Sequence, residues 1–390
     1  MNTGIGHRVE TLGRDRIVSE RLSAKAPIRH LDFSLILSAL ALSAIGAIAI
    51  YSATRARQVE FGLDPRHFLK RQLVHLSVAA VVFLLLLLFD YRQLRGLAPI
   101  FYGGTLLSLL LVLSPLGERV AGAQRWIDVG IFQIQPSELA KLALIVSLAA
   151  LFAEEKELHA ESRLPIALGM TAIPAVLIFV QPDLGTLLVL PAVLFAVLLI
   201  AGMRLRWLLV LALAGVVTFV VILNLGLIKD YQLARLTAFM DPQSDPTSAG
   251  YNLEQSKIAI GSGGFSGRGL FKGTQTNLDY VPEQHTDFIF TAIGEEKGFL
   301  GAMTVLGLFA FLFWRVSRIA MISKDSFGAL LATGIGAMLA FQVFVNIGMT
   351  IGIMPITGIP LPFVSFGGSS LIVNFAAVGI LMNVHMRRFV

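Results

Sequence analysis

Ten long apolar runs, separated by short polar turns, organise the 390-residue chain. They lie near 31–53, 73–89, 97–113, 138–153, 165–180, 184–201, 206–227, 288–314, 327–349 and 369–385. About 20 mostly apolar residues let a helix cross a bilayer, and most of these runs approach that length. The pattern predicts an all-α, polytopic membrane protein with about ten transmembrane helices. A large extracytoplasmic loop, 228–287, separates the seventh from the eighth. Residues 1–30 are polar and predict a disordered cytoplasmic tail; 31–390 reads as one transmembrane domain. The first run is too long for the apolar core of a signal peptide, so it is an uncleaved span. An even number of spans puts both termini on one side.

Lys and Arg set the side. With a cytoplasmic N-terminus, that face carries Arg8, Arg14, Arg16, Arg21, Lys25 and Arg29 of the tail. It also carries Arg92, Arg95, Lys156, Arg163, Arg204, Arg206, Arg315, Arg318, Lys324, Arg387 and Arg388. The opposite loops 181–184 and 350–368 carry neither residue type. Loop 54–72 runs against this rule with Arg55, Arg57, Arg66, Lys70 and Arg71, and such a loop would attract anionic lipid headgroups.

Composition agrees and narrows the chemistry. The chain is 55% hydrophobic and 14% charged with a mean hydropathy of +0.76, against about 45–50% and about 25% in a soluble domain. A soluble enzyme, a disordered chain and a disulfide-stapled domain are excluded. With no Cys there is no disulfide, thiolate nucleophile, Fe–S cluster or Cys–zinc site. The net charge of +6 lies largely in the tail and short loops, so it is no nucleic-acid signal.

The few polar groups at membrane depth carry the remaining information, because they are costly there. Three segments expected on the outer face, 114–137, 228–287 and 350–370, gather most of them. Glu138 and Lys141 follow "QPS", where Pro136 suits a first helical position and Ser137 a cap. Their spacing puts both on one helix face, either as a neutralised pair or lining a cavity for a polar headgroup. In "QPDLGT", Asp183 reads as a helix cap or a cavity residue. "HTDFIF" places Asp287 at the mouth of the eighth span. There it is an N-cap, or a partly desolvated carboxylate raised toward a useful general base, and the two roles are compatible. Glu295 and Glu296 lie about 12 Å further along the helix and read as structural or relay groups beside Lys297. "GSGGFSGRG" (261–269) lacks the Lys-Ser/Thr of a nucleotide loop and a preceding strand. Its glycines, near Lys257, Arg268 and Lys272, are suited to line a groove for a diphosphate. "PLPFVSFGGSS" predicts a broken or re-entrant element, tolerated at depth only inside protein. No internal repeat is evident, which counts against an inverted-repeat transporter.

Five stretches together resemble the SEDS family of cell-wall polymerases (FtsW, RodA, SpoVE). They are "GAQRWIDVGIFQIQPSELAK" (122–141), "QPDLGT" (181–186), "DPQSDPTSAGYNLEQSKIAIGSGGFSGRG" (241–269), "VPEQHTDFIFTAIGEE" (281–296) and "GIPLPFVSFGGSS" (358–370). The wording of 241–264 and 273–290 is closer to the RodA branch than to the FtsW branch. The resemblance implies a peptidoglycan glycosyltransferase of the cytoplasmic (inner) membrane, with both termini cytoplasmic, that polymerises lipid II during cell elongation. It implies Asp287 as the catalytic base and Glu138, Lys141, Arg125, Asp183, Lys257 and Ser365 as substrate-binding residues. It further implies a class B penicillin-binding protein as partner and undecaprenyl diphosphate as leaving group, with membrane lipids around. A divalent cation, Mg²⁺ or Mn²⁺, would serve the leaving diphosphate; no nucleotide, haem or Fe–S cofactor and no nucleic acid is expected. Two other readings suit the same composition: a lipid II flippase, and a non-catalytic scaffold of the elongation machinery. The gathering of acidic residues and long loops at one face favours the enzyme over a carrier, whose site would lie at the midplane.

Overall fold

The computed structural model describes residues 30–153, 160–226, 230–241 and 249–389, apart from 116, 121, 122, 129, 131, 132 and 279. The tail over 1–29 lies outside the described residues. Each of the ten apolar runs is a helix: α1 Phe33–Glu60, α2 His67–Leu88, α3 Tyr91–Leu113, α4 Pro136–Phe152, α5 Leu164–Val180, α6 Leu184–Ile200 and α7 Leu205–Asn224, then, after the long loop, α11 Ile289–Met321, α12 Ser326–Ile351 and α13 Gly368–Met386. Eight are long and apolar enough to cross a membrane, counting the short 160–163 turn with α5 and leaving out α4 and α6. Those two have 17 residues each, about 25 Å of helix, and are packed by their neighbours. The protein is a multi-pass membrane protein.

Because successive helices alternate in direction, Asp32 and the end of α13 meet at one face, where the Asp32 N–H donates to Met382 Sδ at 3.2 Å. This terminal face is closed by ion pairs: Asp32–Arg315, Asp90–Arg387 at 3.3 Å and Asp325–Arg92 at 3.5 Å. At the centre of the bundle, α13 buries 94% of its apolar stretch and α12 61%, whereas α7 at the edge buries 6%. A helix apolar on all sides has no preferred face, so position in the bundle, not amphipathicity, separates α13 from α7.

The opposite, loop face holds structure that helical periodicity does not announce. Segment 114–137 contains a small antiparallel sheet in the order β1 (Glu118–Val120), β2 (Ala123–Asp128), β3 (Gln133–Ile134). The long loop folds into α8 (Asp230–Met240), α9 (Ala249–Ser262) and the one-turn α10 (Thr274–Asn277). Glu295 of α11 binds the start of α10, accepting from Gln275 N at 2.8 Å, Thr276 N at 2.9 Å and Thr276 Oγ1 at 2.7 Å. Glu296 accepts from Ser52 Oγ and, at 3.1 Å, from Phe271 N. Both acids are structural, tying the loop to the bundle.

The glycine-rich motif makes a close backbone contact inside the protein. It packs against a break in α11 at Gly298, whose φ of 61° and ψ of −157° leave the helix. The carbonyls of Glu295 and Glu296 accept from the amides of Arg268 and Gly269, each at 3.0 Å. Across the break, the amides of Phe299 and Leu300 donate to the carbonyls of Gly264 and Phe265 at 2.9 and 3.1 Å. The backbone groups freed by the kink are thus satisfied by the loop. A Cβ on Gly267 would lie 2.2 Å from Glu296 O, so glycine is required for this approach.

Segment 352–367 is irregular and enters the bundle: Leu361, Phe363 and Val364 are almost wholly buried. Val364 lies against Gly46 of α1, where a Cβ would come 2.3 Å from Val364 O. This is the broken, protein-enclosed element that the Pro-Gly-Ser pattern predicts, and it supports the site from below.

Candidate active site at the loop face

Asp287 sits in the turn that leads into α11, and its backbone is fixed by neighbours from two elements. Three consecutive carbonyls are held. His285 O accepts from Phe366 N at 2.9 Å, Thr286 O from Ser365 Oγ, and Asp287 O from Asn346 Nδ2 at 2.8 Å. Asn346, fully buried on α12, also donates to Ile359 O at 2.7 Å, so one amide joins the Asp287 turn to the irregular segment. The side chain is treated differently. Among the described residues no hydrogen bond or ion pair reaches the Asp287 carboxylate, which is half-buried. A rigid backbone under an unengaged carboxylate is the arrangement that general-base chemistry requires.

The electrostatics agree. Burial pushes the Asp287 carboxyl up, to about 6, against the opposing pull of Arg235 and Arg125; Glu283 and Asp183 add to the rise. Arg235 and Asp287 converge on Gly358: a Cβ there would lie 3.3 Å from Asp287 Oδ2 and 3.4 Å from Arg235 Nη1. Gly358, at φ 75°, keeps that space open.

Arg125 reaches from β2 to the turn between α5 and α6, where Nε donates to Gln181 O at 3.0 Å and Nη2 to Pro182 O. Gln232 of α8 donates to the same Pro182 carbonyl at 3.3 Å, which docks the helix carrying Arg235 onto this turn. Asp183 caps α6 through Thr186 N at 3.3 Å and accepts from Gln135 Nε2 at 3.0 Å and Ser137 Oγ at 2.9 Å. One carboxylate therefore joins the starts of α4 and α6. In the next residue of α4, Glu138 pairs with Lys141 at 2.6 Å with both side chains almost wholly buried. Glu138 Oε2 has no partner among the described residues. A buried pair is stable only while both charges are kept, and this one lies behind the Asp183 cap.

The structure thus brings Arg125, Asp183 and Asp287 into one electrostatic neighbourhood, with Glu138 and Lys141 behind it. The two other sequence candidates differ: Ser365 touches the Asp287 turn itself, and Lys257 lies on another helix. Ser365 is buried and its hydroxyl is occupied: it donates to Thr286 O and accepts from Leu361 N at 2.8 Å. It positions the turn. Lys257 lies on α9 against the end of α12, where a Cβ on Gly352 would be 2.7 Å from its Nζ. A cation there complements the carbonyl end of the helix. Sequence reading missed Arg235, Gln232 and Asn346. Only the basic position within the short amphipathic stretch of α8 offered a signal for the first.

A model of the family described as "cell cycle protein", covering FtsW, RodA and SpoVE, matches residues 32–389. The chain belongs to that family. It is 39% identical to the peptidoglycan glycosyltransferase MrdB of Escherichia coli K12 over 359 residues, 92% of this chain and 94% of that one. It is also 39% identical to the probable peptidoglycan glycosyltransferase FtsW of Trichlorobacter lovleyi over 357 residues, 90% and 92% of the two chains. Among solved structures it is similar to a chain of a peptidoglycan synthase complex that coordinates polymerization and crosslinking. That match has a TM-score of 0.77 and 35% identity, and covers 92% of this chain and 98% of the other.

Proposed function

We propose that this chain is a peptidoglycan glycosyltransferase that polymerises lipid II with Asp287 as general base. The observation that carries this reading is the Asp287 carboxylate. Among the described residues it has no hydrogen-bond partner, and burial raises it to about 6, on a backbone held at three successive carbonyls. The names of relatives aligned along nearly the whole chain support the same activity.

The chemistry asks for one proton transfer and one displacement. Asp287 takes the proton from the 4-hydroxyl of an acceptor N-acetylglucosamine. That oxygen attacks the anomeric carbon of the donor, the bond to the α-diphosphate breaks, and its electron pair leaves with undecaprenyl diphosphate. Attack from the opposite face gives a β-1,4 bond with inversion. General-base help of this kind contributes about 10²–10⁴-fold. Arg235 and Arg125 act electrostatically on Asp287 and supply positive charge for the departing diphosphate, with Lys141 on α4 as a further cation. A Mg²⁺ or Mn²⁺ ion serving the departing diphosphate would need only one or two carboxylates beside the diphosphate's own oxygens, and Asp183 and Asp287 are the acids of this neighbourhood that could supply them.

The elongation role rests on the RodA-like wording of 241–264 and 273–290; relatives of both branches are equally similar. A class B penicillin-binding partner is supported by the related synthase complex. The Lys and Arg distribution supports the cytoplasmic membrane with both termini inside.

Purified protein, with and without its penicillin-binding partner, is incubated with labelled lipid II. Glycan polymer from the native chain and none from Asp287→Asn is the expected result. A native chain that never polymerises, or an Asp287→Asn chain that polymerises normally, overturns the assignment. Transport of lipid II across vesicles without polymer would instead favour the flippase.

A further inference from the structure

On the other side of the Asp287 turn lies a cavity of about 430 Å³, lined among others by Thr54, Arg57, Gln58, Phe61, Phe68 and His285. Its volume falls within the roughly 300–1,000 Å³ of ligand sites. Asp287 does not line it; its carboxylate faces Gly358 and Arg235. The turn between the two spaces is closed by Thr286, whose N–H and hydroxyl both donate to Glu283 O at 3.1 and 2.9 Å. Glu283 takes a left-handed φ of 53°, rare for a side chain of its kind, and such strain gathers at functional sites. Two residues on, His285 lines the cavity, its ring between Phe68 at 4.6 Å and Phe366 at 5.6 Å.

Helix length places the cavity above the hydrocarbon. With 28 residues, α1 is about 42 Å long against about 30 Å of bilayer core, so its last turns emerge on the loop face. Phe61 and Leu63, 66% and 57% exposed, therefore present apolar surface outside the membrane core, at the wall of a polar cavity. Apolar faces beside an amide, a hydroxyl, an imidazole and a guanidinium match a saccharide, which offers C–H faces and hydroxyl edges. Arg57 adds a charge suited to the acidic peptide stems of a glycan strand. Of the five basic residues in 54–72, which the structure builds largely from the end of α1 and the start of α2, Arg57 lines this cavity.

We propose that this cavity is a second saccharide subsite, holding sugars of the glycan strand adjacent to the one on which Asp287 acts. The proposal rests on the polymerase reading. A polymerase that grips the strand beyond its reacting end keeps it between additions, so the cavity sets strand length more than the rate of a single coupling.

The test uses full-length protein with its partner. Binding of a β-1,4 N-acetylglucosamine–N-acetylmuramic acid tetrasaccharide bearing peptide stems is measured on Asp287→Asn protein. Phe61→Ala with Gln58→Ala is expected to weaken it about tenfold. In the otherwise native chain the same pair of substitutions is expected to give strands several-fold shorter, with initial lipid II consumption nearly unchanged. Both side chains reach the surface region, and equal melting temperatures check the fold. No tetrasaccharide binding by the Asp287→Asn parent, binding unaffected by the pair, or unchanged strand length each overturns the subsite. Failure of the native chain to polymerise overturns the function instead, and leaves the binding measurement to be read separately.

Discussion

Asp32 and Asp287 are both Asp residues placed just before a membrane-crossing helix, at opposite faces of the bundle, and they are treated in opposite ways. Asp32 caps α1 through Ser34 N at 3.2 Å and Leu35 N at 3.3 Å, accepts from the Ser34 hydroxyl, and is clamped by Arg315. Burial alone would raise its carboxyl, but the Ser34 hydrogen bond and the Arg315 guanidinium outweigh it and hold the group below its usual range. At Asp287 burial prevails, because among the described residues the carboxylate is given no hydrogen-bond donor while the backbone beneath it is given three. The carboxylate at Asp32 is held by donors to its side chain, whereas Asp287 is held through its main chain, as the proposed base would need.

The largest expected effect breaks this contrast at its functional end. Asp287→Asn should lower lipid II polymerisation by about 10²–10⁴-fold, the contribution of a general base, without loss of fold. Its stability should even rise at neutral pH. The folded state holds the Asp287 proton more tightly than the unfolded chain, so this carboxyl costs stability increasingly as pH climbs from about 4 to about 6, and constantly above. Thermal melting of the variant against the native chain at pH 7 and pH 4 checks the sign: a gain at pH 7 that disappears at pH 4.

Breaking the other end has the reverse signature. Asp32→Ala leaves the largely buried Arg315 unpaired and α1 uncapped, and should cost about 3 kcal/mol of stability, as loss of one partner of a buried pair does. Specific activity per folded molecule should be retained, and melting followed by circular dichroism in detergent measures the loss. Between these lies Asn346→Ala, which removes the donor to both Asp287 O and Ile359 O. Small misplacements of a reacting group reach 10²-fold in rate. The expected outcome is a kcat about tenfold lower with KM unchanged, in protein that remains folded.

The helical half of this molecule was legible because ten runs of apolar residues leave few other solutions in lipid. Asp287, Glu138 and Lys141 stood out for the same reason, as charges where charge is costly. What stayed hidden depends on partners remote in sequence. The kink at Gly298 follows no proline; it exists because Gly264 and Phe265, about 35 residues earlier, take over the amides of Phe299 and Leu300. The motif 261–269 therefore looked like a ligand loop when its glycines serve a close backbone approach. Ser365 matched a family motif, yet its hydroxyl is occupied by Thr286 O and Leu361 N. Arg235 was invisible until α8 docked on Pro182 through Gln232 and brought it beside Asp287.

Arg235 gives the finest test of the contrast, because it supplies in weak form at Asp287 what Arg315 supplies fully at Asp32. Asp287 must be ionised to accept a proton, so polymerisation should rise with pH and reach half its plateau near 6. Arg235 favours the ionised form and holds that value down. Arg235→Gln removes the charge while keeping a polar side chain, so the carboxyl should rise further and the acid limb should move to higher pH. The plateau should fall as well if the same guanidinium steadies the departing diphosphate. Initial rates between pH 5 and 8 separate the two effects. A displaced limb reports the field at Asp287, and a lowered plateau reports the leaving group. A limb that stays at its native position would show that the two side chains, though both aimed at Gly358, do not share a field during turnover.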